Sequence, residues 1–330
     1  MSLRPSLPRH KCNGCSGRRK RIGTASLDGM RCFSLQTLWK EKPMTIAFVT
    51  DSTVNMPPEM AAAYGIEVVP VYVMFGETAL KDYEEIAPDE FYRRLQTFKQ
   101  ETGNMPTTSQ PSPEDFRRVY ARLAEEGYTD VISIHVTAKA SGTCQSAELA
   151  AQMVSDRIRV HVVDSETTSM QMGFMLIEAV EAVRAGGGLE EALAAIAAVK
   201  AHSRLFFTVT EVEHLTASGR TQGAEAAAQA AVQVKPIVGL LDGVPKAVAT
   251  ERTYRGALKR VLALLQAAKG ESPVKRMAVV HGGIEAKARA WAPEAAAALG
   301  FEGDPLVVDF GPALAVHFGP GLLGVTVQWE

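Results

Sequence analysis

"TIAFVTDST", residues 45–53, is where an ordered pattern first appears in this 330-residue chain. An apolar run ends on Asp51, and Ser52 and Thr53 follow. The same figure returns at 158–165, "IRVHVVDS", again an apolar run closing on Asp-Ser. Between the two, strand-like and helix-like segments alternate. "PPEMAAAYG" (57–65) reads as a short helix with Pro at its start and Gly at its end. "IEVVPVYVMF" (66–75) reads as one extended run. "APDEFYRRLQTF" (87–98) places Phe91, Leu95 and Phe98 on one helical face. "SPEDFRRVYARLAEEG" (112–127) is a helix, "YTDVISIHV" (128–136) a buried strand, and "SGTCQSAELAAQMV" (141–154) a loop entering a helix. Strand, loop and helix in this order predict a parallel sheet with helical crossovers, an α/β fold.

After residue 165 the texture changes. Two helical stretches (172–188 and 189–202) precede a strand at 204–210. An Ala-rich helix is expected at 223–234, and a hairpin turning at Asp242-Gly243 within 235–250. A helix (254–268) and a strand (276–283) follow. "PLVVDFGPALAVHFGPGLLGVTVQW" (305–329) reads as strands and glycine turns. The expectation is an N-terminal α/β lobe over 44–165 and an α+β lobe over 166–330, closely packed.

Composition sets outer bounds. The chain is 46% hydrophobic and 22% charged, and no apolar run nears the length of a membrane span. Residues 1–43 carry 10 Lys/Arg and 2 Asp/Glu, a charge of +8, which leaves the rest at −10 against a total of −2. An acidic body excludes broad contact with a nucleic-acid backbone. Three of four cysteines, Cys12, Cys15 and Cys32, lie in the basic extension. A lone Cys144 in the body fits a reducing, cytoplasmic setting. The extension lacks a second ligand pair for zinc and an apolar core for a secretory signal. It is expected to be a disordered tail or a misplaced start, with Met44 as the first functional residue.

Two loops concentrate hydroxyl groups. "TTSQPSP" (107–113) precedes a helix; Ser112 is read as its N-cap, with Pro113 at the first helical position. One cap uses one hydroxyl, so Thr107, Thr108 and Ser109 are free for a ligand. "KASGTCQSA" (139–147) repeats the design with Ser141, Thr143 and Ser146, and Gly142 permits close backbone approach. Hydroxyls at a helix N-terminus make an anion site without Lys or Arg. Asp51 either lines a ligand crevice at a strand end or caps the next helix. His281 and His317 sit beside glycines, read as strand ends; His135 and His161 lie inside strands. No nucleophile elbow, phosphate loop or dinucleotide fingerprint is present. A Ser/His acyl hydrolase or phosphoryl-transfer protein stays open as the alternative, built on Ser141 and His281 or His317. Arg220, Arg252 and Arg255 are basic points in an acidic body.

"FVTDST" (48–53), "TSQPSP" (108–113), "SIHVTAKASGTCQSA" (133–147), "VVDSETTS" (162–169), "KPIVGLLDG" (235–243) and "VHFGPGLLG" (316–324) together resemble the DegV family of bacterial fatty-acid-binding proteins, in the family's order. The resemblance implies two lobes with a long-chain fatty acid such as palmitate, stearate or oleate between them. It implies a carboxylate held by Thr108, Ser141 and His317, with Asp51, Ser52, Thr107, Ser109, Gly142, Thr143 and His281 nearby. It implies no catalysis in this chain and no cofactor or metal. A fatty acid kinase subunit would be the partner, docking at Arg220 with Arg252 or Arg255, and any membrane contact would be transient. Three departures stand out. Cys144 replaces a usual Tyr, and Asp82-Tyr83 a usual Asp-Gly, which points to a reshaped tunnel mouth. "TASG" before Arg220 replaces a frequent Lys-Lys-Gly-Gly. Burying a saturated chain stabilises by about 0.8 kcal/mol per methylene, roughly 10 kcal/mol for sixteen carbons before binding costs.

Overall fold

The computed structural model describes residues 45–223 and 234–330. The extension and the Ala-rich segment, apart from Gly223 and Val234, lie outside these. β1 (Ile46–Asp51) is buried along its whole length, as a central parallel strand must be. It lies between β2 (Ile66–Val69) and β6 (Asp130–His135), and β7 (Arg159–Asp164) completes a parallel sheet of order β2-β1-β6-β7. The crossovers include α1 (Pro58–Tyr64), α3 (Pro113–Glu125) and α4 (Thr143–Met153). α3 and α4 cover one face through Phe116, Tyr120, Ala147 and Ala150.

The run at 66–75 is not one strand. Pro70 has no N–H to donate, and the chain leaves the first sheet there. β3 (Tyr72–Phe75) instead joins an antiparallel sheet, β4-β3-β5, with β4 (Thr78–Lys81) and β5 (Thr107–Ser109). The hydroxyl run at 107–109 is therefore a strand, not a loop. α2 (Pro88–Thr102) packs Phe91 and Leu95 against this small sheet.

α5 (Ser169–Arg184) and α6 (Leu189–Ala201) follow. α5 is buried from Ser169 to Ile177 without a polar face. A helix apolar all round is a core helix, and α5 shares one core with Phe48, Ile132 and Ile134 on one side and Leu205, Phe207 and Val280 on the other. The latter belong to a mixed sheet of order β10-β9-β8-β13-β11-β12. Its strands are β8 (Ser203–Thr208), β9 (Lys235–Leu241), β10 (Val244–Glu251), β11 (Val274–His281), β12 (Leu306–Asp309) and β13 (Leu323–Trp329). α7 (Glu213–Ser218) follows β8. α8 (Tyr254–Lys269) and α9 (Glu285–Leu299) cover the sheet's far face. Asp242 and Gly243, at φ 53° and 77°, make the expected two-residue hairpin turn.

Within 305–329 the chain forms a helix, α10 (Gly311–Phe318), where strands and turns were expected. Every residue of α10 except His317 is buried, so it has no amphipathic period for a sequence reading to detect. His317 lies in the last turn of this helix, not at a strand end.

Candidate functional site

A cavity of about 230 Å³ opens where the two larger sheets meet the small one. Its wall is drawn from β5 (Thr108, Ser109), the loop entering α4 (Ser141, Gly142), the β9–β10 hairpin (Leu240, Pro245) and α10 (Leu314, His317, Phe318). Val71 and Val136 add apolar surface; Thr53, Thr137 and Thr168 add hydroxyls. The hairpin is pinned across the top. Thr137 Oγ1 donates to Gly243 O (2.6 Å) and Lys139 Nζ to Asp242 O (2.5 Å).

Thr108 and His317, 209 residues apart, meet at 2.8 Å between Oγ1 and Nε2. Burial lowers the His317 imidazole to about 4, aided by the nearby charges of Arg220 and His214. The ring is therefore neutral at neutral pH, since desolvation penalises the charged form. Its Nδ1 is buried and has no hydrogen-bond partner among the described residues. Ser141 Oγ lies 2.8 Å from Thr143 Oγ1 and accepts the Thr143 N–H (3.3 Å) at the start of α4. The Gln110 side chain lies over Gly142: a Cβ there would meet Gln110 Oε1 at 2.5 Å and displace that side chain. Gln110 in turn donates to Ser146 Oγ (3.3 Å), tying the two hydroxyl segments together.

Thr108, Ser109, Ser141, Gly142, His317 and Arg220 thus line one cavity. Arg220 is exposed, with Nη1 held by Ser218 O (2.6 Å). The other sequence candidates lie elsewhere. Thr107 is exposed on β5, and Thr143 is buried behind Ser141. Asp51 is not at a crevice: its Oδ1 accepts from Thr53 N and Oγ1, capping a short 3-10 turn, and its Oδ2 from Val136 N (3.0 Å). Ser52 Oγ accepts the Val71 N–H (3.1 Å). His281 lines a separate hollow with Asp89, Glu285 and Asp309. Arg252 and Arg255 are exposed beside Thr253, the N-cap of α8. Cys144 is buried with Sγ on Val136 O, and neither it nor Asp82-Tyr83 is itself part of the cavity wall. Ser112 forms a capping box with Asp115.

One arrangement was missed by the sequence reading. Asp51 Oδ2, His135 Nδ1 (3.1 Å), His135 Nε2 and Ser133 Oγ (2.7 Å) form an acid–imidazole–hydroxyl chain, and Tyr120 OH closes it on Ser133 (2.8 Å). This is the order of a hydrolase triad. All four side chains are sealed, each 0% exposed, so no substrate reaches the hydroxyl. At the open cavity the converse holds. His317 has a hydroxyl partner but no carboxylate behind Nδ1, and Ser141 bonds to Thr143 rather than to an imidazole. The open site offers hydroxyl and imidazole hydrogen bonds to a polar head group; among the described residues no carboxylate backs the His317 ring. No helix among the described residues is long and apolar enough to cross a membrane.

A family model described as "Uncharacterised protein, DegV family" matches residues 45–330. A structure of a DegV family protein from Thermus thermophilus, described by its fatty acid binding, is 36% identical with a TM-score of 0.77, covering 86% of this chain and 99% of that one. DegV of Bacillus subtilis, described as a fatty acid binding protein, is 32% identical with a TM-score of 0.74 and coverages of 86% and 99%. A stearic acid-binding protein of Eubacterium ventriosum is 26% identical with a TM-score of 0.78 and coverages of 86% and 98%.

Proposed function

The chain belongs to the DegV family, and from that premise we propose that it binds a long-chain fatty acid, with Thr108, Ser141 and His317 holding the carboxyl group. One observation carries this reading. A neutral imidazole and a hydroxyl pair at 2.8 Å on the wall of a cavity whose lining mixes hydroxyl side chains with Val71, Val136, Leu240, Leu314 and Phe318. Hydroxyl donors satisfy a carboxylate without neutralising it, and a hydrogen bond to a charged group contributes about 1.5–3 kcal/mol. The lobes over 44–165 and 166–330 would then act as two jaws around the acyl chain.

The same reading extends to a partner. The carboxyl group would be presented to a fatty acid kinase for acyl-phosphate formation, in the cytoplasm, with catalysis in the kinase. Arg220 is the best placed of the three docking candidates, because it is exposed and also lines the cavity. Arg252 and Arg255 would extend the surface. Hydroxyl ligands suit this role, since an Arg clamp would hold the carboxylate against transfer.

The test is a titration of delipidated protein with palmitate, stearate and oleate. Saturable 1:1 binding is expected, weakened about 100-fold or more in the Thr108→Ala, Ser141→Ala double variant. No uptake of any of the three acids, or equal affinity in the double variant, would sink the assignment. A mixture of kinase, ATP and loaded protein should yield acyl phosphate, and Arg252→Glu with Arg255→Glu, both away from the cavity wall, should lower that yield without changing lipid affinity.

A further inference from the structure

α10 presents His317 to the cavity, yet its opposite end is held by residues more than 200 positions earlier. Asn55 Nδ2 donates to Phe310 O (2.9 Å) and Tyr83 OH to Asp309 O (3.3 Å). Asp309 Oδ1 accepts the Gly311 N–H (2.7 Å) and the Tyr92 hydroxyl (3.1 Å). Asp82, just past β4 and 1% exposed, accepts the Ala313 N–H on Oδ1 (3.3 Å). Its Oδ2 is buried with no hydrogen-bond partner among the described residues. The fit is close: a Cβ on Gly311 would meet Tyr83 Oη at 2.7 Å. Tyr83 holds its place at φ 64°, a left-handed conformation unusual for an aromatic residue.

Ala313 and His317 are i and i+4, on one face and about 6 Å apart along the axis. A hydrogen bond to His317 is lost once its partners separate by more than about half an ångström beyond the usual range. We propose that Asp82 is a positioning residue for His317: by accepting the Ala313 N–H in the first turn of α10, it sets where the helix sits and hence the Thr108–His317 pair. This inference rests on the fatty-acid reading for its consequence, but not for its geometry.

The protonation of Asp82 enters here. Burial raises its carboxyl to about 7; the nearby Ser52 hydroxyl and the Ala313 N–H oppose this, while Asp51 and Asp309 add to it. The titratable groups facing it are Asp51 from β1, bonded to His135; Asp309 from β12, beside His281; and the phenols of Tyr83 and Tyr92. The first-turn N–H of α10 supplies the opposing positive end. Near neutral pH both forms of Asp82 are populated, and the hold on α10 differs between them.

The experiment reads the His317 imidazole by NMR in ligand-free protein, with wild type, Asp82→Ala and Asp82→Asn, and fatty-acid affinity in parallel. In wild type the His317 resonances should step near pH 7, well above the ring's own titration near 4. Asp82→Asn keeps the acceptor and removes the proton: the step should vanish, and affinity should stay within about threefold of wild type. Asp82→Ala removes the acceptor: the ring's titration should rise toward 6.5, and affinity should fall at least tenfold. If Asp82→Ala does not fold, the Asp82→Asn result decides alone. A step near pH 7 that persists in Asp82→Asn overturns the proposal, as does a folded Asp82→Ala with unmoved His317 resonances. A wild type that takes up no fatty acid defeats the binding reading instead, and leaves the His317 resonances to judge this one.

Discussion

Two places among the described residues bring a hydroxyl against a histidine, and they differ in burial and in what lies behind the ring. At Ser133–His135 the imidazole has an acid behind it, Asp51, and every partner is made and sealed at 0% exposure. At Thr108–His317 the imidazole has no acid, its Nδ1 is unpaired among the described residues, and a cavity opens beside it. Residue types alone would assign chemistry to the first. Access is why ligand binding is proposed at the second. A satisfied, buried polar chain rigidifies a core; an unsatisfied one at a cavity wall is open to a guest.

The contrast can be broken by exchanging what is measured at each place. Asp51→Ala removes one partner of a buried pair and leaves His135 and the Val136 N–H without theirs. It should cost about 3–5 kcal/mol in urea unfolding. A loss under 1 kcal/mol would mean that the sealed chain does not support the fold.

Asp82, buried against the first turn of α10, should behave oppositely to Asp51. Its folded value, about 7, is raised above the unfolded carboxylate value. Stability tied to its proton is therefore complete at acid pH and lost as pH rises through about 7. Asp82→Asn should be more stable than wild type at pH 8, by on the order of 3 kcal/mol, with the gap shrinking toward pH 5. Thermal melts at both pH values check this; a gap independent of pH would contradict it. The open pair should respond in affinity and not in stability: Thr108→Ala should shift unfolding by about 0.5 kcal/mol or less, as an uncrowded site allows. By contrast, Ser112→Ala should cost about 1 kcal/mol of stability through its cap and leave fatty-acid affinity unchanged. A drop in affinity there would make Ser112 part of the site.

How much of this was legible beforehand differs by region in the same way. β1, the strand–helix alternation, the Asp242-Gly243 turn and the Ser112 cap were written in local pattern, and local pattern is what a sequence displays. α10 was not: buried on nearly every side, it lacks the polar stripe that reveals a helix. Nor was the split at Pro70, since where β3 goes depends on β5, more than thirty residues later. The hydroxyl segments stood out by composition, but the choice of Thr108, Ser141 and His317 came from motif resemblance, because their meeting depends on contacts across 209 positions. Asp51 could be read as a crevice residue or a cap because it ends a strand; the structure has it capping, with four acceptor contacts that absorb it into the core. The anchoring of α10 by Asp82 left no local signal.

The central claim is that the cavity beside Thr108 and His317 holds a fatty acid. Native mass spectrometry of protein purified gently from its own host tests it most directly. The expected result is a protein peak carrying one added mass of a saturated or monounsaturated long-chain acid, lost in the Thr108→Ala, Ser141→Ala variant. A bare polypeptide mass in both, with no uptake when acids are added, would contradict it.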